Sequence, residues 1–440
     1  MKCISCGTDN NYRDRQDKKC KNCGHEFVFE PKTMTSKITD GLFAKIINDI
    51  SFNQTIFYTQ KQFDYYFDKL VKNRQSKFEI VGLIFLFCFF NIWFTGFVGA
   101  ILGTIFGLLG NNGFIIANLL WNTIYVIWLV RKSKSTKINV QERSQTGKVL
   151  LFIGMIILMI LGFISLIIIK SFLMFVITTI LGMTSIHFGV IALLKKKPMV
   201  QEFLVEQSKL REWQNRWNSI NSTPEKLLSP IIPNQNLIPN SDLNHYSFDR
   251  LVVCQKDEIA HFLIANNFHL ENNCAILSIT GYPENTFQTV LDMAKQNPNL
   301  KVYAIHDCSF SGMNLVYNLQ TRPNWFLNYQ IQLYDLGLSY QQVMEMPNAF
   351  VRKDSNYQKI ELPFEVRQKL SSEAVKWLES GYYVELESFS PKYLLKVLKQ
   401  GINQTSQLQF NQEELPDNWQ ESERDDSTAA LIVFSSDSFG

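Results

Sequence analysis

The chain has almost no excess of charge of either sign, and it does not open with the apolar run of a secretory signal. Its 440 residues include 43 lysines and arginines against 40 aspartates and glutamates, which gives a net charge of +3. This balance argues against nucleic-acid binding through a global basic excess and against disorder driven by acidic repulsion. Because the first residues are polar and include cysteines, we expect no cleavable signal peptide. A chain of this length predicts about two to four structural units.

The eight cysteines lack the arrangement of a disulfide framework. We expect four of them, which are scattered through an apolar run and predicted strands, to be small buried hydrophobic residues. These four are Cys88, Cys254, Cys274 and Cys308. The others form two matched knuckles with the pattern Cys-x-x-Cys-Gly. The first knuckle has Cys3, Cys6 and Gly7, and the second has Cys20, Cys23 and Gly24.

The two knuckles predict a zinc ribbon over residues 1–30. Zn²⁺ prefers four thiolates in a tetrahedron, and a glycine after the second cysteine of each pair permits a tight turn. The spacing therefore predicts a structural Zn²⁺ held by Cys3, Cys6, Cys20 and Cys23. A structural ribbon has no open coordination position, so it is a binding or scaffolding module and not a catalyst. Thiolates also need a reducing compartment, which favours a cytosolic N-terminus.

Four long apolar runs follow, at residues 80–109, 114–130, 149–169 and 172–194. Because about 20 helical residues cross a bilayer, these runs predict a four-helix transmembrane block within residues 79–195 of a multidomain membrane protein. Lysines and arginines cluster before the first run, between the second and third runs, and after the fourth run. The positive-inside rule therefore predicts a multi-pass protein with both termini in the cytoplasm. A bacterial plasma membrane is the favoured location. A five-span alternative, in which the first run splits near residues 95–96, would put the ribbon outside and is disfavoured.

Two segments around the first apolar run leave alternatives open. Residues 31–78 predict an amphipathic helical linker, in which Thr59 begins a capping box and apolar side chains recur at helical spacing. This helix packs on a neighbour or lies on the bilayer surface. Within the first run, Gly99, Gly103 and Gly107 have the spacing that lets helices approach closely. They predict either the interface of a homo-oligomer or packing against the next span.

The last part of the chain predicts a cytosolic α/β domain over residues 249–402, after a helix and linker at 196–248. Short apolar runs alternate with helical patterns, which is typical of a parallel sheet covered on both faces. The strands are expected near residues 251–254, 274–280, 301–306 and 330–334. Ligands bind at the carboxyl ends of such strands. The loops there contain Gln255, Gly281, Asp307 and Ser309. The polar composition of residues 403–440 predicts a disordered tail.

Five short motifs stand in order along this domain. They are Cys254-Gln255-Lys256, Gly281-Tyr282-Pro283, Asp307 to Gly312, Asp335 to Leu338, and Val384 to Ser388. Their order and spacing resemble the Toprim domain of the topoisomerase VI A subunit and related nucleases, over roughly residues 249–402. The resemblance implies an α/β domain in which a glutamate after the first strand and an Asp-x-Asp after the third hold Mg²⁺ for phosphodiester chemistry.

This chain departs from the Toprim pattern at two of the three metal positions. Gln255 stands in place of the glutamate, Asp307 matches the first aspartate, and Ser309 stands in place of the second. A neutral amide cannot act as a carboxylate base, so we expect Mg²⁺ to bind weakly and Asp307 to be the one catalytic candidate. Further candidate ligand-loop residues are Gly281, Gly312, Glu385 and Glu387. The alternative for the two glutamates is a solvated strand face.

Three functions fit this sequence. The favoured one is a non-catalytic membrane protein whose ribbon and degenerate Toprim-like domain bind a cytosolic protein, a nucleic acid or a nucleotide. The second is a membrane-tethered, Mg²⁺-dependent nuclease or phosphotransferase with a rearranged site around Asp307. The third is a scaffold or a transporter accessory, although no span has a cluster of charges that would form a transport path. A generic α/β domain with chance motif matches is the plain alternative to the resemblance.

Overall fold

The protein folds into two compact units. The computed structural model describes residues 1–15, 17–32, 38–105, 112–134, 140–168, 170, 172–194, 198–231, 248–297, 299–329, 331–354 and 361–407. The first unit takes in Met1–Leu70, Glu202–Glu345 and Ala349–Gly440, and the second takes in Val71–Gln201 with Met346–Asn348. Segments that precede and follow the second unit therefore fold together in the first.

The described helices in chain order are α1 (Asp40–Ile50), α2 (Gln60–Ile105), α3 (Asn112–Lys134), α4 (Val140–Ile156), α5 (Phe172–Leu194), α6 (Gln207–Asn221), α7 (Asp257–Ala265), α8 (Phe268–Glu271), α9 (Phe287–Gln296), α10 (Phe310–Met313), α11 (Leu315–Thr321), α12 (Tyr340–Glu345), α13 (Phe364–Lys369), α14 (Ser372–Glu379) and α15 (Pro391–Gln407). The strands are β1 (Arg250–Cys254), β2 (Cys274–Ser278), β3 (Lys301–Ile305), β4 (Gln332–Asp335), β5 (Arg352–Lys353) and β6 (Tyr382–Tyr383).

The N-terminal segment forms two equivalent turns around its cysteine pairs. In each turn the glycine takes a left-handed φ of +72°, at Gly7 and Gly24. The amide of Gly7 donates to the carbonyl of Cys3, and that of Gly24 donates to the carbonyl of Cys20, both at 2.9 Å. A residue with a β-carbon is strained at such a φ value. The glycine of each Cys-x-x-Cys-Gly pattern is therefore required by the turn.

An aromatic cluster joins this segment to helices α1 and α6. The ring centroid of Phe43 on α1 lies 5.0 Å from that of Phe29 and 4.9 Å from that of Trp217 on α6. The buried carboxylate of Asp40 accepts hydrogen bonds from the amides of Val28 and Phe29, at 3.0 and 2.9 Å. The segment after the second knuckle is thus fixed to the start of α1 by polar contacts and to α6 by ring packing.

Helix α2 begins with the predicted capping box. The amide of Thr59 donates to Gln62 Oε1 at 2.9 Å, and the amide of Gln62 donates to Thr59 Oγ1 at 3.2 Å, which is the reciprocal pattern of that motif. Phe63 and Phe67 are buried, and their rings lie 5.6 and 6.1 Å from the ring of Phe43. For these two side chains the packed alternative is confirmed.

The second unit contains the apolar helices. In the described part of the chain, three stretches are long and apolar enough to cross a membrane: Val81–Val98, Glu142–Ile167 and Phe172–Leu194. They fall on the first, third and fourth predicted runs. The second predicted run lies on α3, which is not among these three stretches. Helix α3 carries three asparagines and a basic last turn. Asn118 and Asn122 donate to Asn91 Oδ1 on α2, at 3.0 and 3.1 Å.

Helices α4 and α5 approach so closely that glycine is required at the contact. A β-carbon at Gly154 would lie 2.9 Å from the carbonyl oxygen of Gly182, and one at Gly189 would lie 3.0 Å from that of Gly147. The α4 chain continues into two π-helical stretches, Ile157–Leu161 and Ile164–Ile168. This close packing occurs at glycines to which the sequence analysis gave no role.

The glycine face predicted on the first span is a different set of residues. Gly107 lies outside the described residues, as do the surroundings of Gly99 and Gly103 on α2. A homo-oligomer through that face therefore stays a prediction.

The α/β domain has the expected parallel sheet, with strand order β2-β1-β3-β4. Cys254 at the end of β1 pairs with Ser278 of β2 and with Ile305 of β3, so three strands end at one level. Helix α15 takes in residues 403–407, where a disordered tail was predicted, and residues 408–440 lie outside the described part. Burial is confirmed for Cys254, Cys274 and Cys308 and is wrong for Cys88, which is exposed on the apolar part of α2.

Candidate functional site

The residues that follow β1 and β3 meet at the carboxyl edge of the sheet. The amide of Gln255 donates to the carbonyl of Ile305 at 2.9 Å, which extends the pairing of the two strands by one residue. Lys256 then precedes α7, and Asp307 precedes the short helix α10. Because both strands are parallel and end at the same level, their next side chains face one space.

The three positions that the sequence analysis compared with Toprim metal ligands, Gln255, Asp307 and Ser309, lie together and are connected by hydrogen bonds. Gln255 Oε1 accepts from the amide of Asp307 at 2.9 Å, and Gln255 Nε2 donates to Ser311 Oγ at 2.8 Å and reaches Ser309 Oγ at 3.5 Å. Ser309 Oγ also caps α10 by accepting from the amide of Gly312 at 3.0 Å. A β-carbon at Gly312 would collide with the carbonyl oxygen of Asp307. Gln255 and Ser309 are therefore occupied by internal contacts.

An ammonium group lies at the centre of the acidic residues. Lys256 Nζ is 2.7 Å from Asp307 Oδ2, 2.7 Å from Glu385 Oε1 and 3.3 Å from Glu387 Oε2. We call Lys256, Asp307, Glu385 and Glu387 the lysine–carboxylate cluster. The sequence motif included Lys256, but no role was assigned to it.

The two glutamates reach the cluster because their segment pairs with the loop after β3. The amide of Cys308 donates to the carbonyl of Val384 at 3.1 Å, and the amide of Val384 donates back at 2.9 Å. The amide of Leu386 donates to Asp307 Oδ1 at 2.8 Å. The side chains of Glu385 and Glu387 are 7% and 0% exposed, so the interpretation as a solvated strand face is wrong.

The start of α2 supplies a second set of partners to the same glutamates. Lys61 Nζ lies 2.8 Å from Glu385 Oε1, and the Tyr65 hydroxyl donates to Glu385 Oε2 at 2.6 Å. Thr59 Oγ1 donates to Glu387 Oε1 at 3.1 Å. Lys61 and Tyr65 could not be identified from the sequence, because they stand more than 300 residues from Glu385 and no local pattern links them.

The charges of the cluster stabilise one another. Burial alone would lower the pKa of Lys256, but the negative charges of Asp307, Glu387 and Glu385 outweigh it and raise that pKa above its ordinary value. Burial would likewise raise the pKa of Glu385, but Lys256 and Lys61 lower it to about 2. At Glu387 burial dominates and raises the pKa in spite of the two lysines. Lys256 and Glu385 are therefore both charged at neutral pH.

The four N-terminal cysteines have the geometry of a metal site. Their sulfur atoms all lie within 4.8 Å of one another, and two of the separations are 3.7 Å (Cys3 to Cys23) and 3.6 Å (Cys6 to Cys20). Four ligands about 2.3 Å from a central ion stand about 3.8 Å apart in a regular tetrahedron. The residues thus fit a tetrahedral metal ion. Within the described residues, no other group of histidine, cysteine and acidic side chains meets the same criterion.

Gly281 lies in the loop after β2 and has a left-handed φ of +105°. Comparisons with models of protein families, with curated proteins and with solved structures found no match to this chain. Its function is therefore inferred from the chemistry of the lysine–carboxylate cluster and of the cysteine site.

Proposed function

We propose that the protein is a membrane-anchored binding or regulatory protein, in whose Toprim-like domain a lysine has taken the place of a catalytic metal ion. The observation that carries this proposal is the position of Lys256 Nζ, 2.7 Å from both Asp307 and Glu385. In metal-dependent phosphodiester chemistry, grouped carboxylates hold a cation that polarises the phosphate or activates water. An ammonium group neutralises the same carboxylates, but it offers no coordination position to a substrate.

The state of the remaining residues supports a non-catalytic role. With a pKa of about 2, Glu385 is a poor proton acceptor at neutral pH. Gln255 is neutral, and both ends of its amide are engaged with Asp307 and Ser311. Neither Glu385 nor Gln255 is thus poised to take a proton from an attacking water molecule.

The metal of the cysteine site is proposed to be zinc, and the site to be cytosolic. Four thiolates are the ligand set of a structural Zn²⁺ ion, and they stay reduced only in a reducing compartment. The ion would stabilise the two turns and supply no chemistry, because all four of its positions would be filled by protein.

The division of the chain into units supports an even number of membrane crossings. Residues before Val71 and residues after Gln201 pack in one unit, so both segments must lie on the same side of the bilayer. Three crossings would put these two segments on opposite sides of the bilayer. We propose that α3, whose 23 residues are about 34 Å long, is the fourth span of a multi-pass protein with both termini in the cytoplasm.

The second candidate function is a Mg²⁺-dependent nuclease or phosphotransferase. It is favoured by the three carboxylates that contact Lys256 Nζ, because hard cations prefer carboxylate oxygens. For this function Lys256 would have to leave the cluster when the metal ion binds.

The test is a cleavage assay on the full-length protein in detergent micelles. Single- and double-stranded DNA and RNA would be incubated with the protein and Mg²⁺ or Mn²⁺, with Asp307→Ala as the control. We expect no cleavage above that of the control. Cleavage that Asp307→Ala abolishes would overturn the proposal and establish the nuclease.

A further inference from the structure

A cavity of about 700 Å³ opens at the carboxyl end of β2, beside the lysine–carboxylate cluster. Open parallel sheets bind ligands outside the carboxyl ends of their strands, where the strand order reverses. Here the order reverses between β1 and β3, and Lys256 with its carboxylates fills that position. The open space lies one strand further along, at β2. Its volume is within the range of about 300–1,000 Å³ that is typical of small-molecule sites.

One side of the cavity carries two anchored cations. Lys61 on α2 and Arg211 on α6 line it, with side chains that are 43% and 38% exposed. Arg211 is held by two hydrogen bonds to Asp64, at 2.7 and 2.6 Å, and Lys61 is held by Glu385. A guanidinium group has five N–H donors and an ammonium group has three, so both retain donors for an anionic ligand. Positively charged groups that are already oriented bind phosphate oxygens well.

The other side of the cavity offers rings and acceptors. His261 on α7 and Tyr282 in the loop after β2 form a ring pair with centroids 5.9 Å apart. The carboxylates of Asp257 and Glu258, in the first turn of α7, line the same space. Heterocyclic bases stack on aromatic and imidazole side chains, and the N–H groups on their edges donate to carboxylates.

The loop that carries Tyr282 is held in place without a ligand. The Asp257 carboxylate accepts hydrogen bonds from the hydroxyl groups of Ser278 and Thr280. The amide of Tyr282 donates to Ser278 Oγ at 2.9 Å. A pre-formed wall of this kind reduces the ordering cost of binding.

We propose that this cavity binds a nucleoside phosphate, with the phosphate at Lys61 and Arg211 and the base at His261 and the α7 carboxylates. The inference rests on the proposed function, because it names the ligand class of the binding module. Lys61 and Glu387 belong both to the cavity wall and to the contacts of the cluster. A bound phosphate would therefore compete with Glu385 and Glu387 for Lys61.

The experiment is a calorimetric titration of the full-length protein in detergent micelles, without divalent cations. The probes are ATP, GTP, CTP and UTP. The four nucleosides and inorganic triphosphate are titrated separately, because each represents one half of a nucleotide. We expect at least one nucleotide to bind about tenfold or more tightly than either of its halves. Inorganic triphosphate that binds as tightly as every nucleotide, or no binding by any probe at about 1 mM, would overturn the inference.

Two pairs of variants locate the ligand. His261→Ala should weaken nucleotide binding about tenfold or more, while His269→Ala, a half-buried histidine on α8 outside the cavity lining, should not. Glu258→Gln should change the preference among bases, while Glu373→Gln should leave it unchanged. Glu373 is also exposed in the first turn of its helix, α14, and does not line the cavity. Equal effects within each pair would refute this location.

The outcome of the nucleotide titration is independent of the outcome of the cleavage assay. Nucleic-acid cleavage would overturn the proposed function whether or not nucleotides bind. A failure of all nucleotides to bind would overturn the cavity assignment and leave the non-catalytic cluster as argued.

Discussion

Lys256 Nζ and Asp307 Oδ2 lie 2.7 Å apart at the ends of two neighbouring parallel strands. The same ammonium contacts Glu385, so one cation joins the loops after β1 and β3 to a segment about 80 residues further on. A buried charge is costly unless it is paired and hydrogen-bonded. The stability of this edge of the sheet should therefore depend on Lys256.

Replacing Lys256 by methionine should lower the free energy of unfolding of the first unit by about 3–5 kcal/mol, because it leaves buried carboxylates without their cation. Chemical denaturation of the full-length protein in detergent would measure this. The matched control is Lys399→Met, which removes an ion pair with Glu271 whose two side chains are about half exposed. That variant should cost less than about 1 kcal/mol. Equal costs would show that Lys256 is not held as described.

Removal of the lysine should also create a site for a divalent cation. In Lys256→Ala the cluster keeps three carboxylates and loses the ammonium that neutralises them, so Mg²⁺ should raise the melting temperature of the variant. The wild-type protein should show no such increase. Thermal unfolding with and without Mg²⁺ compares the two. An equal increase in the wild type would favour the nuclease hypothesis.

Serine at Cys6 should abolish stoichiometric metal binding at the N-terminus. The wild-type protein should contain about one zinc ion per chain, measured by elemental analysis, because four thiolates complete the coordination of Zn²⁺. The control is Cys88→Ser, which replaces an exposed cysteine on α2 that is not part of the cysteine cluster. If Cys6→Ser retains its zinc, the four cysteines do not form the site.

The contact between α4 and α5 should not tolerate a β-carbon. At Gly154 it would lie 2.7 Å from Ile186 Cγ1 and 2.9 Å from the backbone of Gly182, so Gly154→Ala should destabilise the second unit by about 1–3 kcal/mol. Gly162→Ala is the control, since the nearest atom there is 3.9 Å away. Unfolding in mixed detergent micelles measures both variants. A neutral Gly154→Ala would contradict the close approach.

Acid should weaken the cluster through Glu385. Its pKa is about 2 in the folded protein against an ordinary value of 4.5, so the unfolded chain binds the proton more readily. The stabilising contribution of Glu385 is therefore complete above its ordinary pKa and is lost as the pH falls from about 4.5 towards 2. Denaturation over this range should show a steeper loss of stability for the wild type than for Glu385→Gln. Parallel profiles would argue that Glu385 is not paired with the lysines.

Features that depend on neighbouring residues could be predicted from the sequence. The two cysteine knuckles, the capping box at Thr59 and the bounds Phe172–Leu194 of α5 all follow from local spacing. The parallel sheet also followed, because each strand is a short apolar run with a polar end. The strand ends then placed Gln255 and Asp307 on one edge.

The side chains that form the site could not be predicted, because they come from segments that are distant in the sequence. Lys61 and Tyr65 stand on a helix whose pattern indicated only that it was amphipathic. Glu385 and Glu387 alternate with apolar residues, as in a strand with one solvated face. The structure has a short 3-10 turn at Leu386–Ser388 instead, and both carboxylates are buried. The resemblance drew attention to Gln255, Asp307 and Ser309, but it gave no indication that Lys256 would contact Asp307 and Glu385.

The aromatic cluster of the first unit also sets an order for the biogenesis of the protein. The cysteine turns can close around a metal ion once Cys23 has left the ribosome. Phe29 and Phe43, in contrast, pack against Trp217, which is synthesised only after the whole of Val71–Gln201. Phe29 and Phe43 therefore lack this one partner until Val71–Gln201 has been synthesised. Metal capture can come first, the apolar helices are synthesised next, and closure of the aromatic cluster around Trp217 is the last step.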